Sequence, residues 1–173
     1  MTSRHLIRML GAFLLMLALS AIANAQSLPQ VSLNADNLGP RSIEQLTGTN
    51  ITREYAMAWL SLAQAMDQNR ADLLKDGFTG FAHDRLSQRI ADQQSIGLRT
   101  QIVDHGHRVK AVFYSQDGGA MQLIDEAHIE VQVFDGSRLI DSNDKTRRYV
   151  VLMTPGADRW YVRNIEEDPA AMP

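Results

Sequence analysis

The sequence predicts an α+β fold, with amphipathic helices first and a twisted antiparallel sheet of about four strands after them. Three observations predict it. From Thr52 to Gly97, apolar side chains recur at helical spacing. Past Gly97 the period changes to two. Clusters of Gly, Asp, Asn and Ser then cut residues 98–167 into short strands joined by turns.

The elements follow in chain order. Arg4, His5 and Arg8 precede an apolar run that ends in Ala23-Asn24-Ala25, a small-residue cleavage pattern. This reads as a secretory signal peptide over residues 1–25, cut after Ala25, and sets the expected location as periplasmic or secreted. The alternative is retention of residues 9–25 as a membrane anchor, although the run is somewhat short of the roughly 20 residues a span needs. Cleavage leaves 148 of the 173 residues, enough for one core, and moves the formal charge from −3 to −5. With no basic patch, no nucleic-acid partner is expected, and after cleavage no membrane contact. The chain has no cysteine, so disulfides and thiol chemistry are excluded. Residues 26–48, broken by Pro29, Gly39, Pro40 and Gly48, read as a flexible arm with one helical turn near "RSIEQL". One domain is expected over 49–168, followed by a frayed tail over 169–173.

Thr52 is the expected cap of the first helix, whose stripe runs through Ala56, Trp59, Leu60, Ala63 and Met66. Met57, Met66, Met121 and Met153 read as core filling. "NRADLLKDG" continues the helix or forms a short one, and Gly77 ends it. A second helix carries Ala82, Leu86, Ile90 and Gln93 on one side and stops at Gly97. The expected strands are "VKAVFYS", "MQLIDEAHIEVQVF", "RRYVVLMT" and "RWYVRNIE", with "SQDGGA", "DGSRLIDSND" and "PGAD" as turns. In the second strand Met121, Leu123, Asp125, Ala127, Ile129, Val131 and Val133 share the face expected to meet the helices. Gln122, Ile124, Glu126, His128, Glu130 and Gln132 share the opposite face, expected to meet water or a partner.

Three stretches carry a resemblance: "AMAWLSLAQAM" in the first helix, "GFTGFAHDRL" opening the next, and "DRWYVRNIEE" in the last strand. With them, residues from about 50 to 167 resemble the nuclear transport factor 2-like superfamily, the cone-shaped α+β domains that include SnoaL-like and cystatin-like proteins. The resemblance implies helices packed in the concave face of a strongly bent antiparallel sheet. It implies homodimers built on the outer sheet face. It also spans cyclases, isomerases and dehydratases as well as non-catalytic modules of envelope, import and division machinery, so it does not assign a reaction. In the hollow of such a cone the expected pocket residues are Trp59, Phe78, Phe81, Phe113, Met121 and Leu123.

Two clusters carry candidate chemistry. Asp104-His105-Gly106-His107 holds two imidazoles at strand spacing, but zinc needs further ligands and Gly106 suggests a bulge that would part them. A solvated strand start is the plainer reading. The second cluster is Asp125 with His107. If "SQDGGA" is a hairpin turn, Asp125 lies opposite Val109 or Ala111, and His107 points inward by the alternation that includes Val109, Ala111 and Phe113. An Asp–His pair in an apolar hollow is a candidate general base. Its structural alternative is a carboxylate satisfied by Arg148, Arg163 or a backbone donor. No P-loop, nucleophile elbow, H-E-x-x-H or dinucleotide fingerprint occurs in the sequence, and no cofactor or metal is expected. The expected function is an exported binding module. It would hold a small apolar ligand in the cone or dock a protein partner through the sheet. The alternatives are a cofactor-free isomerase, cyclase or dehydratase, and an anchored scaffold subunit.

Overall fold

The structure, a computed structural model, describes residues 27–168, so the predicted signal segment and the 169–173 tail lie outside the described residues. The elements are strand β1 (Val31–Asn34), helix α1 (Gln45–Gln68), a 3-10 segment (Ala71–Asp76), helix α2 (Gly80–Ser95), and strands β2 (Leu98–Tyr114), β3 (Met121–Asp135), β4 (Arg138–Pro155) and β5 (Trp160–Glu167). The five strands pair in sequential order in one open sheet, and the helices cover one of its faces. Strands β2 to β5 are antiparallel, as the hairpin turns require. Strand β1 runs parallel to β2, because the whole helical layer intervenes between them as a crossover.

That fifth strand corrects the reading of residues 26–48 as a flexible arm. Val31 and Leu33 pack against the core, and the main-chain N–H of His107 donates to the Gln30 carbonyl at 2.8 Å. Four residues are too few to show a period, so pairing rather than pattern orders them. Helix α1 also begins earlier than Thr52. Glu44 is the extended N-terminal residue, tied to Arg41 at 2.6 Å, and Thr52 instead donates its hydroxyl back to the Gly48 carbonyl. The buried stripe of α1 runs through Ile51, Tyr55, Ala58, Trp59, Leu62 and Met66, while Leu60 is only half-buried and Met57 is exposed.

The helices are locked to the sheet at two points. Residues 77–79 run beside β5, where Val162 donates to the Gly77 carbonyl and Thr79 to the Val162 carbonyl. A side chain at Gly77 would meet the Ala58 Cα at 2.5 Å, so only glycine lets this segment pass between α1 and β5. At the other end, Gln93 of α2 donates to the Met66 carbonyl and to Asn69, and accepts from Thr100 of β2.

The strands are longer than the sequence pattern suggests. Strand β2 starts at Leu98 and so contains the D-H-G-H stretch, and the expected "DGSRLIDSND" turn shrinks to Gly136 and Ser137. Register shifts at Asp104/Gly106, Ala111/Phe113, Val133/Phe134 and Leu152/Met153 bend the strands around the helical layer. Met121, Leu123, Ile129, Val151 and Met153 are buried on the helix-facing side, each contributing about 1.5–3 kcal/mol. That burial offsets the cost of the charged cluster built into the core.

Candidate functional site

The site is built from β2, β3 and α1. Asp125 faces the helices and pairs with Val109, as the alternation of β3 predicts. His107 points inward from β2 opposite Ala127. The two meet: His107 Nδ1 lies 2.8 Å from Asp125 Oδ2, and both side chains are fully buried. Tyr55, one helical turn before Trp59, donates its hydroxyl to the same oxygen at 2.7 Å.

The fourth member is Asp104. On a regular strand a residue three positions from His107 would project from the other face. The bulge inserts His105 between the Asp104–Ile129 and Gly106–His128 pairs, so Asp104 and His107 both turn inward. Gly106 makes this possible with φ +121°, and its N–H donates to Asp104 Oδ1 at 2.8 Å. Asp104 Oδ2 then sits 2.8 Å from His107 Nε2. The same bulge separates the two histidines. His105 is exposed and stacks near His128 at 4.8 Å, while His107 is buried. The H-x-H stretch is therefore not a shared-face pair. Among the described residues no group of three or more His, Asp or Glu side chains is arranged to hold a metal ion.

Electrostatics follow from this geometry. Burial opposes charging His107, but its hydrogen bonds to Asp104 and Asp125 and their negative charges outweigh it and raise its pKa to about 9. His107 is an imidazolium at neutral pH, with both N–H groups donating to carboxylates. Burial, then the charge of Asp125, raises the Tyr55 hydroxyl well above its ordinary value, so it stays a donor. Asp125 Oδ1 and Trp59 Nε1 are buried without hydrogen-bond partners. Asp125 does not pair with Arg148 or Arg163. Arg148 lies on the outer face with Asp168 at 3.3 Å, and Arg163 packs its stem over Gly80.

In front of the cluster lies a cavity of about 240 Å³. Its floor is mostly apolar, with Trp59, Leu62, Met66, Ile102, Ile129 and Val131 around Thr100, whose hydroxyl is taken up by Gln93. Its mouth carries Leu86, Arg89, Arg147, Tyr149, Ile165 and Glu167. Trp59 stands between cavity and cluster: its ring is 4.7 Å from His107 and 5.4 Å from Tyr149. None of Asp104, His107, Asp125 or Tyr55 lines the cavity.

Of the predicted pocket residues, Trp59 alone lines this cavity. Phe78, Met121 and Leu123 are packed core. Phe81 is 70 % exposed, on the solvent side of the first turn of α2. Phe113 is turned outward, opposite Gln122, because the second bulge shifts the alternation and gives its inward place to Tyr114. Sequence reasoning missed Tyr55, Arg89 and Arg147, and named Asp104 in the D-H-G-H stretch without placing it beside the Asp125–His107 pair. Tyr55 was detectable at four residues from both Ile51 and Trp59.

The predicted outer row runs down the middle of the uncovered sheet face. Gln122 and Ile124 pair with Leu152 and Val150, Glu126 lies between Arg108 and Arg148, and His128, Glu130 and Gln132 follow towards the far end. Val112 and Phe113, each 40 % exposed, extend its apolar end.

No protein-family model and no curated protein matches the chain. Solved structures match it in shape. The intermembrane space region of the chloroplast protein ARC6 superposes with a TM-score of 0.62 at 14% identity, over 74% of this chain and 98% of that one. ActVI-ORFA from Streptomyces coelicolor gives 0.48 at 11% identity, over 72% and 99%. A Nostoc punctiforme protein described as having a cystatin-like fold gives 0.42 at 14%, over 75% and 97%. At such identities the likeness is one of fold: α+β, with helices packed on one face of an open, bent sheet, as expected from the sequence.

Proposed function

We propose that the chain is an exported binding module that holds a small apolar ligand in the hollow, and that its Asp–His pair is structural. The observation that carries this is the position of Trp59, which separates the fully buried Asp125–His107 pair from the cavity. A general base must reach the proton it abstracts. Here both imidazole nitrogens are held by carboxylates and the shared Asp125 oxygen already takes two hydrogen bonds. Placing the hollow's apolar floor against a ligand uses the same burial that stabilises the core. Export is part of the proposal. N-terminal sequencing of the mature protein would start at Gln26, whereas retention of residues 9–25 would favour the anchored scaffold.

Trp59 provides the test. Titration with a small apolar fluorophore should shift tryptophan emission saturably, and Leu86→Trp at the cavity mouth should abolish the shift while the fold persists. Binding unaffected by Leu86→Trp would remove the hollow as the site. A second reading is supported by the apolar end of the outer face, where Val112, Phe113, Ile124, Val150 and Leu152 cluster on an uncovered sheet. There the module would dock a protein partner, a second copy of the chain being the nearest candidate.

A further inference from the structure

We infer that the ligand of the hollow is a small amphipathic monoanion, with its apolar part on the Trp59 floor and its charged head held by Arg147 and Arg89. This rests on the reading of the hollow as the binding place and names the chemistry that fits it. The floor is mostly apolar, but the mouth is rich in donors. Arg147 pairs through Nη1 with Glu167 at 3.2 Å, leaving its Nε buried and without a partner. Arg89, exposed on α2, makes no hydrogen bond or ion pair among the described residues. Tyr149, whose hydroxyl is pushed up to about 12 by burial and then by the charge of Glu167, remains protonated. Two guanidiniums against one carboxylate leave the mouth one positive charge in excess, while behind Trp59 two carboxylates face one imidazolium, so an anionic head belongs at the mouth and the tail on the floor. A neutral apolar ligand would leave the mouth's excess unanswered. A cation would be repelled.

The volume sets the size. About 240 Å³ is roughly eight water volumes of ~30 Å³ each, which suits a chain of about six to ten carbons. The test uses octanoate, octan-1-ol and octyltrimethylammonium as probes of equal tail length on the exported chain, read by tryptophan emission and calorimetry. Octanoate should bind about tenfold or more tighter than octan-1-ol, the ratio expected of one charge-assisted contact, and the ammonium should bind weakest. Arg89→Gln and Arg147→Gln should each cut octanoate affinity about tenfold and leave octan-1-ol within about twofold. Arg89→Gln carries the test if loss of the Glu167 pair unfolds the Arg147 variant, because Arg89 is exposed. Equal binding of octanoate and octan-1-ol, or indifference to Arg89→Gln, would overturn the anion inference and leave an apolar hollow. Binding of none of the three at millimolar concentration would overturn the hollow reading itself.

Discussion

His107 carries a positive charge inside the core because two carboxylates hold it, and that has a measurable consequence. Its pKa stands at about 9 in the fold against an ordinary 6.5. A group whose pKa is raised on folding favours the fold most where both states are protonated. Its contribution is therefore complete below about pH 6.5 and is lost as pH rises through about 9. The loss is at most about 3–4 kcal/mol. Thermal melts of the protein should fall over that window, and His107→Gln should melt lower at pH 6 and show no such fall. A stability profile flat from pH 6 to 9.5 would mean that His107 is neutral in the fold. Tyr55→Phe deletes one hydrogen bond to the charged Asp125 and should cost about 1.5–3 kcal/mol in denaturant unfolding. A cost below about 0.5 kcal/mol would place Tyr55 outside the network. Half of this cluster is legible in the sequence. Strand alternation brings Asp125 against Val109 and turns His107 inward. Asp104 is not legible, because its inward turn depends on one inserted residue that shifts the phase of β2.

At the scale of elements, local pattern and tertiary pairing part company in predictable places. Helix α2 and strand β3 follow their periodicity because each presents one face to the core over many residues. Strand β1 has four residues and no period of its own, and the first two turns of α1, "QLTGTNIT", contain one glycine and three threonines that favour other conformations. Both form because they cover each other: Gly48 lies 3.7 Å from Ile43 and 4.0 Å from Leu33, measured from the position of an added Cβ. The tightest crossing is at Gly77. Gly77→Ala would drive a methyl group onto the Ala58 backbone, which cannot yield without separating α1 from β5. The expected cost is about 1–3 kcal/mol or more, read as a lower unfolding midpoint. Gly97→Ala, where no atom lies within 4 Å, isolates the cost of a positive φ without a clash. If the two variants were equally stable, close approach would not be what demands glycine at 77.

On the scale of the whole molecule, the helices protect one face of the sheet and leave the other to solvent or a partner. The open face is graded. Phe113, Val112, Ile124, Val150 and Leu152 stand at one end, the Arg108–Glu126 pair at 3.1 Å crosses the middle, and Glu130 and Asp144 lie beyond His128. A two-fold pairing would set such a face against itself, with Ile124 near the axis, the apolar ends overlapping and the Arg108–Glu126 pairs flanking them. A stable pair needs about 800 Å² from each partner, which the apolar end cannot supply alone, so the polar rows must take part. The prediction is therefore a salt-sensitive dimer. Sedimentation at low ionic strength should show two copies. Ile124→Lys should give a folded monomer, and Phe81→Lys, at an exposed position on the helical side, should leave the dimer intact. A monomer at all protein and salt concentrations would assign the graded face to solvent or to a different protein, and would leave the hollow as the binding feature of this fold.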